Sequence, residues 1–350
     1  MQQPVKLTFD TPVTEAARQI LDGQMKEILE QIARVPSEDQ SISEEAVHDL
    51  RVALRRSLAI LAALAPWFDR AWLKKQTPFY RELLRLLGHV RDADILAHLA
   101  ESYFHEEPGA DLAGGPELLA DLCRTRDLER KKLCLILSGK DFRKKLGALT
   151  IRLNMADVTL KMVPAGISGK GEVRLFRFGE CLPVMLYQAA ASLTVYHTVV
   201  RYEQPDLPSA DEAGQRENKA SDSVSVETVD ESVLHQLRIA AKNFRYIAEY
   251  GQSLLGSPGR ALVRDFRIFQ DVLGNWHDSV VACTAFDRPG MTQGRTEHEK
   301  EAVRSWRLYQ ESQRDNLRLS FMEIWEKMTP AWFHERLSAG LISLFSEKAD

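Results

Sequence analysis

The sequence predicts an all-α protein. Three observations lead there: helical periodicity runs through almost the entire chain, no alternating strand of useful length interrupts it, and the composition suits helix. Leu, Ala, Arg and Glu prevail, while only 19 Gly and 14 Pro occur in 350 residues.

Periodicity and helix punctuation give the elements in order. A first helix is predicted from Pro12 to Val35, and a second follows Ser43, carries the amphipathic run Val47 to Ala65 and ends at Pro66. Thr77-Pro78 reads as a cap and first-turn pair opening a third helix that stops at Gly88, and Val90 to His105 supply a fourth. After the turn-rich EEPGADLAGGPE come Glu117–Leu137 and Asp141–Val163, then the breaker Pro164–Glu172. The second half repeats the plan, with helices predicted over Pro183–Arg201, Val229–Leu255, Pro258–Leu273, His277–Phe286, Glu297–Met328 and Pro330–Glu347. Between them lies a segment rich in Ser, Asp and Glu without periodicity, read as a mobile insertion. The predicted organisation is thus a first helical bundle over 1–165, a second over 166–202 and 229–350, and an acidic insertion over 203–228.

Charge first argues against a polyanion binder, since 46 Lys and Arg face 50 Asp and Glu for a net of −4. The total is misleading. Residues Glu203–Glu231 hold nine acidic and two basic side chains, a net of −7, which leaves the remainder of the chain at +3. Cys123, Cys134, Cys181 and Cys283 form no CxxC pair and lie at no metal spacing to histidine, so they read as reduced core residues. Neither a signal peptide nor a membrane span is predicted, which makes the cytoplasm the default location.

The chain is internally duplicated. VHDLRVALRRSLAIL (Val47–Leu61) aligns with LHQLRIAAKNFRYIAE (Leu234–Glu249), and LLGHVRDADIL (Leu86–Leu96) aligns with VLGNWHDSVVA (Val272–Ala282). His48 precedes Gly88 by 40 residues and His235 precedes Gly274 by 39, so both matches recur at nearly one offset. On a helical wheel Arg51 and Arg55 fall within about 60° of His48, beside an apolar face of Val47, Leu50, Leu54, Leu58 and Leu61. His235, Arg238, Lys242 and Arg245 form the matching stripe, flanked by Leu234, Leu237, Ala241 and Phe244. Like charges three and four residues apart repel by a few tenths of a kcal/mol per pair. Glu249, four residues after Arg245, offsets part of this, and an anion against the stripe would offset more. The bland alternative is a solvated face whose long side chains cover apolar surface. Arg81, Arg85, Arg264 and Arg267 on the predicted third helix of each half add four more cations, so that four basic helices are expected to converge. Asp92 and Asp278 read as first-turn carboxylates that favour the helix dipole, with an arginine-orienting ion pair as the alternative.

These residues resemble the CHAD domains, the conserved histidine α-helical domains. The resemblance rests on HDLRVALRR with LLGHVRDADIL in the first half and on HQLRIAAKNFRY with FQDVLGNWHD in the second, and extends loosely over about residues 5–345. It implies two helical bundles related by a pseudo-twofold around a basic cavity that binds inorganic polyphosphate without catalysis and without a cofactor. It also implies that His48, Arg51, Arg55, Arg56, His235, Arg238, Lys242 and Arg245 line that cavity. Arg81, Arg85, Arg91, Arg264 and Arg267 are taken as further candidate ligands. Association with polyphosphate granules is part of the same expectation. The two copies differ: Asn243 stands in the place of Arg56, Leu58 in that of Arg245, and His277 in that of Arg91, where it reads either as an extra ligand or as a surface residue.

Rival functions are weaker on the residues. Hydrolysis would need a metal carboxylate cluster, and Glu45-x-x-His48 is half a di-iron motif without a counterpart, since the second copy has Glu231 four residues before His235. Histidine phosphotransfer fits the His-x-x-Arg spacing but needs open, small neighbours. A scaffold for an acidic protein or nucleic acid remains as a third class. Nucleic acid is disfavoured because, Phe244 and Tyr246 apart, the stripes carry no stacking platforms.

Overall fold

Sequence periodicity becomes ten helices among the residues described by the structure, a computed structural model covering 7–34, 42–106, 109–154, 166–167, 173–200 and 230–346. The acidic insertion, the end of the helix expected to reach Val163 and most of the breaker after it lie outside those residues. In chain order the helices are α1 (Val13–Ala33), α2 (Glu44–Ala63), α3 (Arg70–Glu106), α4 (Gly115–Ser138), α5 (Lys140–Asn154), α6 (Phe178–Thr194), α7 (Glu231–Gly251), α8 (Gly256–Phe286), α9 (Glu297–Lys327) and α10 (Pro330–Ser346). Gly166–Ile167 and Val173–Arg174 form a two-residue antiparallel pair.

Local chemistry explains the helix starts. Ser43 Oγ accepts from the Ala46 amide at 3.2 Å, Asp230 caps α7 by accepting from the Ser232 amide at 2.8 Å, and Thr296 with Glu299 closes a reciprocal capping box on α9. Between α7 and α8 the chain turns at Gly256, whose φ of 62° suits a residue without a Cβ.

Three expected helix boundaries do not occur. Thr77-Pro78 and Gly88 lie inside the 37-residue α3, and Gly274 lies inside the 31-residue α8. Asp69 starts α3 instead, its Oδ1 accepting from the Ala71 and Trp72 amides at 2.7 and 2.9 Å. The lost rung at Pro78 and the roughly 1 kcal/mol cost of an interior glycine are outweighed by burial of Trp72, Leu73, Phe79, Tyr80, Leu87 and Val90.

One large apolar core joins both halves. It takes Val47, Leu50 and Leu54 from α2 and Leu234, Leu237, Ala241 and Phe244 from α7, together with Phe266, Phe269 and Leu273 from α8. A second cluster, built around Phe104, Leu118, Phe286 and Trp306, ties the far ends of α3 and α8 to α4 and α9. The halves meet where α2 packs on α7 and α3 on α8, which brings the cationic edges of α2 and α7 beside each other. Cys134 and Cys181 are buried and Cys123 and Cys283 half-buried, all four as free thiols. Among the described residues no helix is long and apolar enough to cross a membrane.

Candidate functional site

The apolar faces of α2 and α7 are committed to the core, so the stripes beside them have one place to go. Between the helices lies a cavity of about 570 Å³. His48, Arg51 and Arg55 enter it from α2, and Arg238, Lys242 and Arg245 from α7. Helix α3 contributes Arg91 and Asp92, while α8 contributes Gln270, Asp271, Gly274, Asn275, His277 and Asp278. Six arginine and lysine side chains therefore face three aspartates.

Glycine shapes the wall. A Cβ on Gly274 would meet nothing within 4 Å, and one on Gly88 would stand 3.8 Å from Arg51 Nη1. Of the two residues read from sequence as helix stops, Gly274 instead lines the cavity beside open space and Gly88 stands next to the Arg51 guanidinium.

The cations disturb one another. Burial, and then the charges of Arg238 and Arg55, push Lys242 down to about 6. Burial followed by Arg55 brings Arg51 and Arg238 each to about 10. His277 falls to about 3, by burial and then by Arg238, and His48 and His235 are lowered mainly by burial. In the free protein the histidines are thus driven toward the neutral form. The Nε of Arg238 and Nδ1 of His277 are buried and find no hydrogen-bond partner among the described residues, the kind of unmet demand that a bound anion's oxygens would answer.

Asp92 and Asp278 are not helix caps. They sit mid-helix in the cavity wall because α3 and α8 run unbroken through the glycines. Burial raises both carboxyls, against the opposing pull of Arg51 on Asp92 and Arg91 on Asp278. Arg91 bridges the halves, reaching Glu44 at 2.6 Å and Asp278 at 3.6 Å.

Not every candidate converges. His235 is not among the lining residues; its ring stands 4.8 Å from that of His277. Arg56 stands at the end of the cavity, 3.0 Å from Glu249 and over the ring of Tyr246 at 5.5 Å. Arg267 is exposed and reaches Glu249 at 3.3 Å. Arg81, Arg85 and Arg264 are exposed and take no part in the lining, so the third-helix arginines do not converge as expected. Their helices turn those faces outward, because the apolar residues between them hold the opposite side in the core. His277, left open by the sequence, is a wall residue. Glu249, Gln270 and Tyr246 emerge as partners of the arginines, and only the i,i+4 spacing of Arg245 and Glu249 offered a prior signal. Among the described residues no cluster of three or more His, Cys, Asp or Glu side chains stands ready for a metal.

Fold and site together define a class of all-helical proteins whose packed helices enclose a cationic cavity. The profile of the CHAD domain matches residues 19–287, more than half of the chain, and the chain belongs to that family. Two solved structures share the fold: the CHAD domain from the plant Ricinus communis, 20% identical with a TM-score of 0.65 over 97% of this chain and 94% of that one, and PptA from Streptomyces chartreusis, 17% identical with a TM-score of 0.63 over 90% of this chain and 100% of that one. No curated protein matches the sequence closely enough to count as a relative.

Proposed function

We propose that the protein binds inorganic polyphosphate in the cavity between α2 and α7, as a non-catalytic receptor. The observation that carries this reading is the convergence of the cationic stripes of α2 and α7, from positions about 187 residues apart, on one cavity where six arginine and lysine side chains face three aspartates. A linear polyphosphate brings about one charge per interior phosphate and no bases, so guanidinium forks and an ammonium group suffice to hold it. In this reading Arg51, Arg55, Arg91, Arg238, Lys242 and Arg245 are the ligands, and His48 and His277 contribute hydrogen bonds. The two halves act as repeats, 1–165 and 166–202 with 229–350, related by a pseudo-twofold about the cavity. A cytoplasmic protein of this kind would gather on polyphosphate granules. Histidine phosphotransfer fits less well, because His48 shares its cavity with Arg51, Arg55 and Arg91 and His235 is half-buried, where a docking domain needs open ground with small neighbours.

The test compares wild type with the double variant Arg51→Ala, Arg238→Ala. Wild type is expected to bind long-chain polyphosphate with an affinity that falls linearly with salt on log axes, by roughly 0.7 per phosphate contact, and the variant is expected to lose binding while keeping its helical circular dichroism. Undiminished binding by the folded variant, or failure of polyphosphate to displace labelled RNA at moderate salt, would refute the proposal.

A further inference from the structure

Beyond the cavity wall, three guanidinium groups from three helices close on one carboxylate. Arg245 Nη1 donates to Glu249 Oε1 at 2.8 Å along α7, Arg56 Nη2 reaches Oε2 from α2 at 3.0 Å, and Arg267 Nη2 reaches Oε1 from α8 at 3.3 Å. Glu249 keeps only 13% of its side chain exposed, whereas Arg267 keeps 57%.

The three cations are not held alike. Arg245 has a second anchor, its Nε donating to Gln270 Oε1 at 2.7 Å, and Gln270 is itself fixed by donating to the Ala241 carbonyl at 2.7 Å. Tyr246 lies between Arg245 and Arg56, with the two guanidinium carbons 5.0 and 5.5 Å from its ring centre. Arg56 and Arg267 have Glu249 as their shared carboxylate. Arg245 and Tyr246 line the cavity and Glu249 does not, so the cluster continues the cationic track one step past its end. From Arg238 to Glu249 that track follows 11 residues of α7, about 16 Å.

A carboxylate presents two oxygens to guanidinium forks much as a phosphate does. We propose that Glu249 is an internal anion that occupies the far end of the polyphosphate track in the free protein and yields to the ligand only when the chain is long enough to reach it. This rests on the polyphosphate reading above. A short chain binds between Arg51, Arg238 and Lys242 and leaves the Glu249 cluster closed. A long chain continues past Arg245, takes Arg56 and Arg267 from Glu249, and leaves the carboxylate with Arg245 on its own helix. Glu249 thereby sets a threshold of chain length, and Arg56 and Arg267 become ligands of long chains alone.

The experiment measures the affinity of wild type, Glu249→Gln and Arg267→Ala for inorganic triphosphate and for long-chain polyphosphate at one salt concentration. Gln keeps an oxygen for Arg245 and removes the competing charge. For the long chain, E249Q is expected to bind about tenfold tighter and R267A more weakly, whereas triphosphate affinity stays unchanged in both. An E249Q protein that binds the long chain no better, or that gains equally for both lengths, overturns the inference while leaving polyphosphate binding standing. R267A alters an exposed side chain and keeps the test decisive should E249Q fail to fold; unchanged long-chain affinity in that variant counts against the inference. A wild type that binds neither probe overturns the polyphosphate reading itself, and the inference with it.

Discussion

Binding should draw a proton into the cavity, and Lys242 is the group that takes it up. Its ammonium faces Arg51, Arg55 and His48 on α2, Arg238 and His235 on its own helix, and His277 and Asp278 on α8; burial first and then Arg238 and Arg55 hold it near 6. At pH 8 such a group is charged in about 1% of free molecules. An anion against the ammonium returns it toward the ordinary lysine value near 10.5, so each binding event at pH 8 consumes close to one proton. Affinity for polyphosphate is then expected to fall about tenfold per pH unit between 7 and 9. In the free protein the sign is opposite. Between 6 and 10.5 the unfolded chain binds a proton that the folded chain lacks, so stability rises with pH across that window, by up to about 1.4 kcal/mol per unit. Calorimetric titration in buffers of different ionisation enthalpy reads the proton count directly. Long chains keep the terminal phosphates, whose second ionisation lies near 6, a negligible fraction of the signal. Wild type should show an uptake near one at pH 8 and Lys242→Met near zero. No uptake by wild type, or equal uptake by both, would refute the reasoning.

Two further outcomes test the frame around the site. Asp94 is buried, and its Oδ1 takes both Nε and Nη2 of Arg130 at 2.9 and 2.7 Å; Asp94→Ala should lower stability in chemical denaturation by about 3–5 kcal/mol while polyphosphate affinity holds. Gly274→Ala should raise stability by up to about 1 kcal/mol, since a Cβ there meets nothing and helix propensity improves, whereas Gly274→Leu should fold normally and bind polyphosphate poorly because its side chain fills the cavity.

The contrast between what was legible and what was not follows from the range of the interactions. His48, Arg51 and Arg55 share a face because three and seven residues are close to whole helical turns, and Arg238, Lys242 and Arg245 obey the same geometry, so both stripes could be read from one helix at a time. That the stripes meet rested on the internal duplication and on the family resemblance, since no pattern within one helix encodes it. Gly88 and Gly274 misled for a physical reason: a glycine's local preference to end a helix is about 1 kcal/mol, and burial of Leu87, Val90, Leu273 and Trp276 around them exceeds it. With the helices wrongly broken, Asp92 and Asp278 were given caps to fill. Arg81, Arg85 and Arg264 belong to the predicted third helix of each half, which is what grouped them with the site, although they are exposed and take no part in the lining. Arg56 meets Glu249 across 193 residues of sequence, a pairing that no local pattern encodes.

The unbroken helices have a kinetic consequence. At 37 and 31 residues, α3 and α8 run for about 55 and 46 Å, each passing from the main core through the cavity wall into the second apolar cluster. A wall made of such struts has no hinge at Gly88 or Gly274, so the trough stands ready before any ligand arrives. Capture then needs no closing step, and its rate follows the electrostatic field at the mouth, quick in dilute salt and slower as ions screen it. How long a chain stays is decided separately, by how many of its phosphates must let go at once.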